Sequence, residues 1–206
     1  MRLEAVFGRH ICTPKTSSCR SVARLELKHP RYCHWLCSRR VTILNRPLLE
    51  AEWDQVRGFA RQLERQDVTL RFGRALDLAD EATLRRYFDV KAGIGEIAWV
   101  SDKTGAILGI SHRILVLQSE AEIALIVRSD LKRLGIGEFL LRQMLARAAQ
   151  EGLKTLSASL FRENRAVLRL AGKIGYEPRD ETTWAVEVTF EVGQATGIDE
   201  GATPGP

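Results

Sequence analysis

Apolar and polar positions recur with clear periods only from about Arg40 onward. Val41-Thr42-Ile43-Leu44 is a short β-branched run closed by Pro47, the pattern of a strand. Leu49, Trp53, Val56, Ala60 and Leu63 then recur at helical spacing, with Glu50, Asp54 and Arg57 on the other side. A second short helix is predicted over 81–88, burying Leu84 and Phe88. Residues 96–101 and 106–117 read as two strands joined at Asp102-Lys103-Thr104-Gly105, where glycine supplies a positive φ. Residues 121–127 add a third strand to that meander. In 136–149 Leu140, Met144 and Ala148 form a helical stripe that Leu141 and Leu145 widen. A strand over 155–161, a helix over 164–174 and an alternating strand over 184–190 complete the series. The order β, α, α, β, β, β, α, β, α, β predicts an α+β (mixed α/β) fold, a mixed sheet with helices on its faces. There is no internal repeat.

Composition narrows the picture. The chain has 206 residues, 45% hydrophobic and 28% charged, enough for one domain of ordinary size and some surplus. No apolar run approaches the roughly 20 residues of a membrane-spanning helix. The net charge of +5 is uneven: residues 1–40 hold nine basic and two acidic residues, leaving 22 basic and 24 acidic over the rest. A basic terminal segment is weak support for nucleic-acid binding, so none is expected. The same segment contains Cys12, Cys19, Cys33 and Cys37 with His10, His29 and His34. Their spacing matches no common zinc ribbon or finger, and no apolar stretch of signal-peptide length follows Met1. Residues 1–38 are therefore expected to be a poorly ordered extension, with metal binding and targeting as lesser alternatives. The expected domain is 39–191, and the Gly- and Pro-containing 192–206 reads as a disordered tail. A cytoplasmic location is expected.

The chemistry concentrates after the 121–127 strand, in Arg128-Ser129-Asp130-Leu131-Lys132-Arg133-Leu134-Gly135-Ile136-Gly137-Glu138. A buried strand runs into a basic turn with two glycines, and a helix follows at once. Gly135 and Gly137 remove side chains where backbone must approach a ligand, and the first helical N–H groups point outward unpaired. Lys132 and Arg133 add positive charge, so a diphosphate is the natural guest. The plainer alternative is a solvated turn whose glycines serve geometry alone. Glu122 also stands out as a carboxylate in an otherwise apolar strand, sharing a face with Ala124 and Ile126 by alternation. From position alone it is either catalytic or a strand-end residue facing water.

Strand, turn and helix together resemble the acetyl-CoA-binding motif of the GCN5-related N-acetyltransferase (GNAT) family. That family's pattern is Gln or Arg, two residues, Gly, one residue, then Gly or Ala; Lys132-Arg133-Leu134-Gly135-Ile136-Gly137 departs only by Lys at the first place. Asn164 and, eleven positions on, Gly175-Tyr176 stand where the family has an Asn and a closing Gly-aromatic pair. The resemblance spans roughly residues 40–191 and implies a splayed central sheet with a slot for pantetheine. It implies that the backbone of Ile126 and Val127 meets the pantetheine amides, and that amides from Arg133, Leu134, Gly135, Ile136, Gly137 and Glu138 hold the pyrophosphate. Lys132 opens that motif, and Asn164 would touch acetyl-CoA farther along the slot. The Glu138 side chain is expected to point to solvent while its N–H serves. Arg128 and Lys173 are candidates for the 3′-phosphate, surface charge being the plainer reading.

Residues 121–132 also resemble the acetyltransferase domain of bacterial protein-lysine acetyltransferases, in which a glutamate at the place of Glu122 is the general base. Leu70-Arg71-Phe72 and Arg86-Tyr87-Phe88 are shorter likenesses to the same group. A lysine with pKa about 10.4 must lose its proton to attack, and a carboxylate can take it directly or through a water. The Tyr acid of many relatives, seven residues after the Asn, is Ala171 here. Its loss is tolerable because a thiol of pKa about 8.5 leaves without full protonation. The implied reaction is direct attack in a ternary complex, with the oxyanion on a backbone N–H near Val127, no metal and no covalent enzyme intermediate. The acceptor is expected to be a protein lysine, an acyl-CoA synthetase among the candidates. A small amine, or a non-catalytic acetyl-CoA sensor, is the alternative. Acceptor contacts are expected from 63–95 and the turn before the last strand.

Overall fold

Nine strands form one sheet among the described residues, which are 6–7, 21–25, 41–47, 53–89, 96–101 and 105–193 of the computed structural model. They are β1 (Val6–Phe7), β2 (Ser21–Leu25), β3 (Val41–Pro47), β4 (Glu96–Ser101), β5 (Ile107–Leu117), β6 (Glu120–Val127), β7 (Thr155–Phe161), β8 (Glu177–Glu181) and β9 (Ala185–Glu191). Their spatial order is β1-β2-β3-β4-β5-β6-β7-β9-β8. Every neighbouring pair is antiparallel except β6 and β7, so the sheet is mixed as the element order predicts. β1 and β2 come from within 1–38 and pair with each other, and β2 pairs with β3. The four cysteines, His10, His29 and His34 lie outside the described residues, as does 194–206. Val192, assigned by pattern to the tail, is buried, and its N–H donates to the Lys154 carbonyl at 2.9 Å.

Five helices accompany the strands among the described residues: α1 (Trp53–Ala60), α2 (Arg65–Phe72), α3 (Glu81–Phe88), α4 (Ile136–Gln150) and α5 (Arg165–Ile174). α1 is the described part of the helix expected from Leu49, and Leu63 packs against the same core from beyond its end. α3 begins where Asp80 accepts the Thr83 N–H at 2.8 Å, an N-cap that satisfies one orphan donor of the first turn. α2 has no counterpart in the sequence reading. It buries only Val68 and carries three charged residues, so its apolar stripe is too thin to register, and Gly73 (φ 74) closes it in a left-handed cap. Gly105 adopts φ 82, the positive value expected of the β4–β5 turn.

α1, α2 and α3 pack on Ile107, Ile110 and Ile126 from one face of the sheet, through Val56, Phe59, Val68, Leu84 and Phe88. α4 covers the other face with Leu141, Met144, Leu145 and Ala148, in a cluster shared with β6, β7, β9 and the Ala171 and Ile174 positions of α5. Tyr176 packs against that cluster, as a residue closing a helix should. Among the described residues no helix is long and apolar enough to cross a membrane.

Candidate active site

The single parallel contact of the sheet creates the site. β6 and β7 pair only at Glu120–Thr155, Ala121–Leu156 and Glu122–Ser157, although β6 continues to Val127 and β7 to Phe161. Beyond Glu122 the two strands part. β6 keeps its antiparallel ladder with β5 through Val127–Gly109, and the Arg128 N–H still donates to the Leu108 carbonyl at 3.0 Å. Backbone groups alternate sides along a ladder of this kind. The Arg128 bond sets the phase, so Ile126, Ala124 and Glu122 turn their N–H and C=O to β5, while Leu125 and Val127 turn theirs to the opening. Val127 stands on the open edge, and Leu125 rather than Ile126 is its companion there. From Glu122 to Val127 the edge measures about 16 Å at 3.3 Å per residue.

The far end of the opening is the glycine-containing turn. A 3-10 turn, Ser129–Leu131, leads into Lys132, and Arg133 (φ 64) is the one non-glycine residue with positive φ among the described residues. Gly135 follows at φ 87 as the N-cap of α4. The first intrahelical bond runs from the Phe139 N–H to the Gly135 carbonyl at 2.9 Å. The N–H groups of Ile136, Gly137 and Glu138 therefore have no acceptor within the helix, and a glycine N-cap offers no side chain to take one. That arrangement, with the positive end of the helix dipole, suits an anion. A Cβ placed on Gly137 would lie 3.5 Å from Leu170, 3.7 Å from Val127 and 3.8 Å from Leu125, so half-buried apolar side chains surround the first turn of α4. The contacts are ordinary ones, and Ala would fit there as well as Gly.

Charged side chains around the turn are tied to one another. Lys132 Nζ lies 2.6 Å from Asp67 Oδ2, on α2. Arg128 forks onto Asp130 with bonds of 3.0 and 2.7 Å. The Glu138 side chain does not point to solvent: it is only 11% exposed, bonding Lys173 of α5 and lying 3.1 Å from Arg142. A carboxylate beside an anion site needs such neutralisation, and two cations supply it. Both candidates for the 3′-phosphate, Arg128 and Lys173, are thus engaged with carboxylates. Asn164 caps α5, its Oδ1 accepting the Val167 N–H at 3.3 Å. Ala171 is buried in the α5 core face, so nothing acidic stands at that place.

Glu122 occupies the vertex of the opening, the last residue of β6 still paired with β7. It is exposed and lies on the face that carries His112, since Ile114–Glu122 and His112–Ala124 are successive same-face pairs of the ladder. α2 brings Arg71 to this face, a residue for which the sequence offered only a short likeness. Arg71 Nη2 donates to His112 Nδ1 at 3.2 Å, so the other ring nitrogen carries the proton and Nε2–H donates to the Tyr87 carbonyl at 3.1 Å. Arg71 also lies 4.7 Å above the Phe72 ring, while its Nε is covered without a hydrogen-bond partner. Burial lowers the Arg71 pKa to about 10, and the Glu122 carboxylate pulls it back up, so the guanidinium stays charged at neutral pH. Burial first, and the Arg71 charge second, push His112 down to about 3 against the opposing pull of the Tyr87 carbonyl. His112 is accordingly neutral. A separate cavity of about 480 Å³, lined by Asp54, Gln55, Gln62, Gly105 and Arg128 among others, sits beside α1 and not in the opening.

The Gly73 turn after α2 reaches the end of β7, where a Cβ on Gly73 would lie 3.4 Å from Phe161. Phe161 in turn meets the exposed Trp184 at 5.8 Å between ring centroids. The 63–95 region and the turn before β9, both expected to serve an acceptor, therefore meet at the tip of β7.

Comparison with known proteins places this arrangement. Residues 71–176 match the family model of the acetyltransferase (GNAT) family. The fold is similar to the GNAT domain of PAT from S. lividans, with TM-score 0.65 and 16% identity over 74% of this chain and 92% of that one. Spermidine N-acetyltransferase from Vibrio cholerae, in complex with CoA and spermine, aligns at TM-score 0.61 and 13% identity over 74% and 97%. Aminoglycoside acetyltransferase AAC(6')-Ib in complex with coenzyme A aligns at 0.58 and 15% over 72% and 94%. The parted β6 and β7, the uncapped helix start and the matched motif agree: this chain belongs to the GNAT family, enzymes that use acetyl-CoA to acetylate an amine.

Proposed function

We propose that this chain transfers the acetyl group of acetyl-CoA to the side-chain amine of a protein lysine, with Glu122 as the general base. The observation that carries the reading is the placement of Glu122 at the vertex where β6 and β7 part, exposed and on the α2 face. Acetyl-CoA fits the residues present: Leu125 and Val127 offer edge amides and carbonyls, Leu170 an apolar wall, and Arg133 to Glu138 the amides for a diphosphate. Bound there, it supplies an activated thioester carbonyl. Glu122 then removes the amine proton, directly or through one water, as attack proceeds. His112 is held neutral and bonded at both nitrogens, which suits it to orient Arg71 and not to move protons.

A protein lysine is favoured over a small polycation because the Arg71 guanidinium already interacts electrostatically with Glu122 on its own face. A polyamine would bring a second cation towards it. The likeness in fold to the S. lividans PAT domain and the resemblance of 121–132 to protein-lysine acetyltransferases point the same way.

The test is CoA release from acetyl-CoA against lysine-bearing proteins, acyl-CoA synthetases included, and against polyamines and aminoglycosides, with Glu122→Gln beside the wild type. The reading expects release with a lysine-bearing protein and a fall of about 10²–10⁴-fold in the variant. Release with small amines alone would replace the acceptor class. Acetyl-CoA binding without release from any acceptor would make the chain a sensor, and an undiminished Glu122→Gln rate would remove the base.

A further inference from the structure

We propose that Asp67 is a positioning residue for acetyl-CoA, holding the diphosphate turn in its binding conformation from a helix that does not itself touch the diphosphate. The inference rests on the reading of Arg133 to Glu138 as the diphosphate site. Asp67 lies in the first turn of α2, and its side chain is only 15% exposed. Its Oδ2 receives two donors from the turn, Ser129 Oγ–H at 2.5 Å and Lys132 Nζ at 2.6 Å. Ser129 in turn accepts the Glu64 N–H on its Oγ at 2.8 Å, and its own N–H donates to the Gln62 carbonyl at 3.3 Å. Lys132 Nζ also lies 3.9 Å from Glu64 Oε2, so the start of the turn is fastened to the α1–α2 junction by five contacts, and Asp67 is the acceptor in the two shortest.

The residue that follows this fastening is the strained one. Arg133 has φ 64, a conformation that L side chains other than Asn and Asp rarely adopt, and such a residue persists only where its surroundings over-determine it. No turn hydrogen bond spans Arg133 among those described, whereas Lys132 immediately before it is pinned by Asp67. The pinning also turns the Lys132 side chain toward α2. Lys132 therefore contributes its place in the chain, and the anion is left to the amides beyond it. Without Asp67, Arg133 relaxes toward negative φ, the amides of 133–138 lose their common direction, and the binding-competent fraction of the turn falls.

The experiment compares acetyl-CoA with S-acetylpantetheine, which has the thioester arm and no diphosphate. In Asp67→Ala the KM for acetyl-CoA is expected to rise about tenfold while that for S-acetylpantetheine changes less than twofold. In an Arg133→Gly background, where glycine accepts positive φ unaided, Asp67→Ala is expected to change the acetyl-CoA Kd less than twofold. Should Asp67→Ala fold poorly, Asp67→Asn keeps an acceptor for Ser129 and is expected to show the same selective loss, only smaller. Equal losses for both thioesters, no loss for acetyl-CoA, or an undiminished effect of Asp67→Ala in the Arg133→Gly background would overturn the proposal. A wild type that uses the two thioesters equally well would instead overturn the diphosphate reading beneath it.

Discussion

Lowering the pH from 7.5 to 5.5 should destabilise this protein through His112, by an amount the structure sets. In the unfolded chain an imidazole titrates near pH 6.5. In the fold, burial and the neighbouring Arg71 push His112 to about 3, with Phe88 packed at 5.6 Å and the ring 3% exposed. A group whose folded pKa is depressed leaves the unfolded state holding more protons between the two values, so stability is full above about pH 6.5 and declines as pH falls toward 3. Over the window 7.5 to 5.5 the loss is about 1 kcal/mol, set by the unfolded value and insensitive to where below 5 the folded one lies. For a domain of this size that is a fall in Tm of about 2–4 °C. Asp80 and Glu81, whose carboxyls are lowered by their hydrogen bonds to Thr83 and Trp53, lose their contributions only as pH falls through and below the ordinary carboxylate range, outside this window. His112→Gln keeps an amide donor for the Tyr87 carbonyl and an acceptor for Arg71 but does not titrate. Thermal unfolding by circular dichroism at the two pH values, wild type against His112→Gln, isolates the effect from every other histidine. Equal pH dependence in the two proteins would show that His112 protonates in the fold, and the neutral, doubly bonded imidazole would have to be abandoned.

Other substitutions carry defined expectations. Gly109→Ala puts a Cβ 2.8 Å from Leu140 Cδ1 and 3.3 Å from the Ile126 carbonyl, and Leu140 is fully packed, so a loss of about 1–3 kcal/mol is expected in urea unfolding. Gly135→Ala forces a Cβ into φ 87 at the start of α4, and a several-fold weaker acetyl-CoA Kd by calorimetry is expected with the fold retained. Leu145→Ala opens the core between α4 and the sheet and should lower stability by about 2–5 kcal/mol in the same urea assay.

The sequence made some of this legible for identifiable reasons. α3, α4 and β7 are readable because their apolar positions keep one period over their length, β4, β5 and β6 because their apolar runs are set off by turn residues, and the 132–137 glycine pattern because its residues are contiguous. α2 was not, since Val68 alone is buried in it, and β8, with Pro178 and three acidic residues, has no alternation to read. The parting of β6 and β7 is a property of pairing, and two apolar strands look the same whether or not they remain joined. Contacts across long separations were equally hidden: Asp67 to Lys132 spans 65 positions, and Arg71 to His112 spans 41. Glu138 was misjudged for the same reason, because Lys173, the partner that draws its carboxylate inward, sits 35 positions away on α5. His112 gives no signal on an apolar strand, yet its Nδ1 accepts from Arg71 on the face that carries Glu122, while its Nε2–H is held by the Tyr87 carbonyl.

The central claim is that the opening between β6 and β7, closed at one end by Glu122 and at the other by the first turn of α4, receives acetyl-CoA. Residue-resolved amide exchange with and without acetyl-CoA tests it most directly. Protection is expected at Leu125 and Val127, whose N–H groups face the opening, and across 133–138, with Ile126 unchanged because its N–H is already bonded to β5. Protection confined to the α1 cavity around Gln55 and Gln62, or none at Leu125 and Val127, would contradict the account.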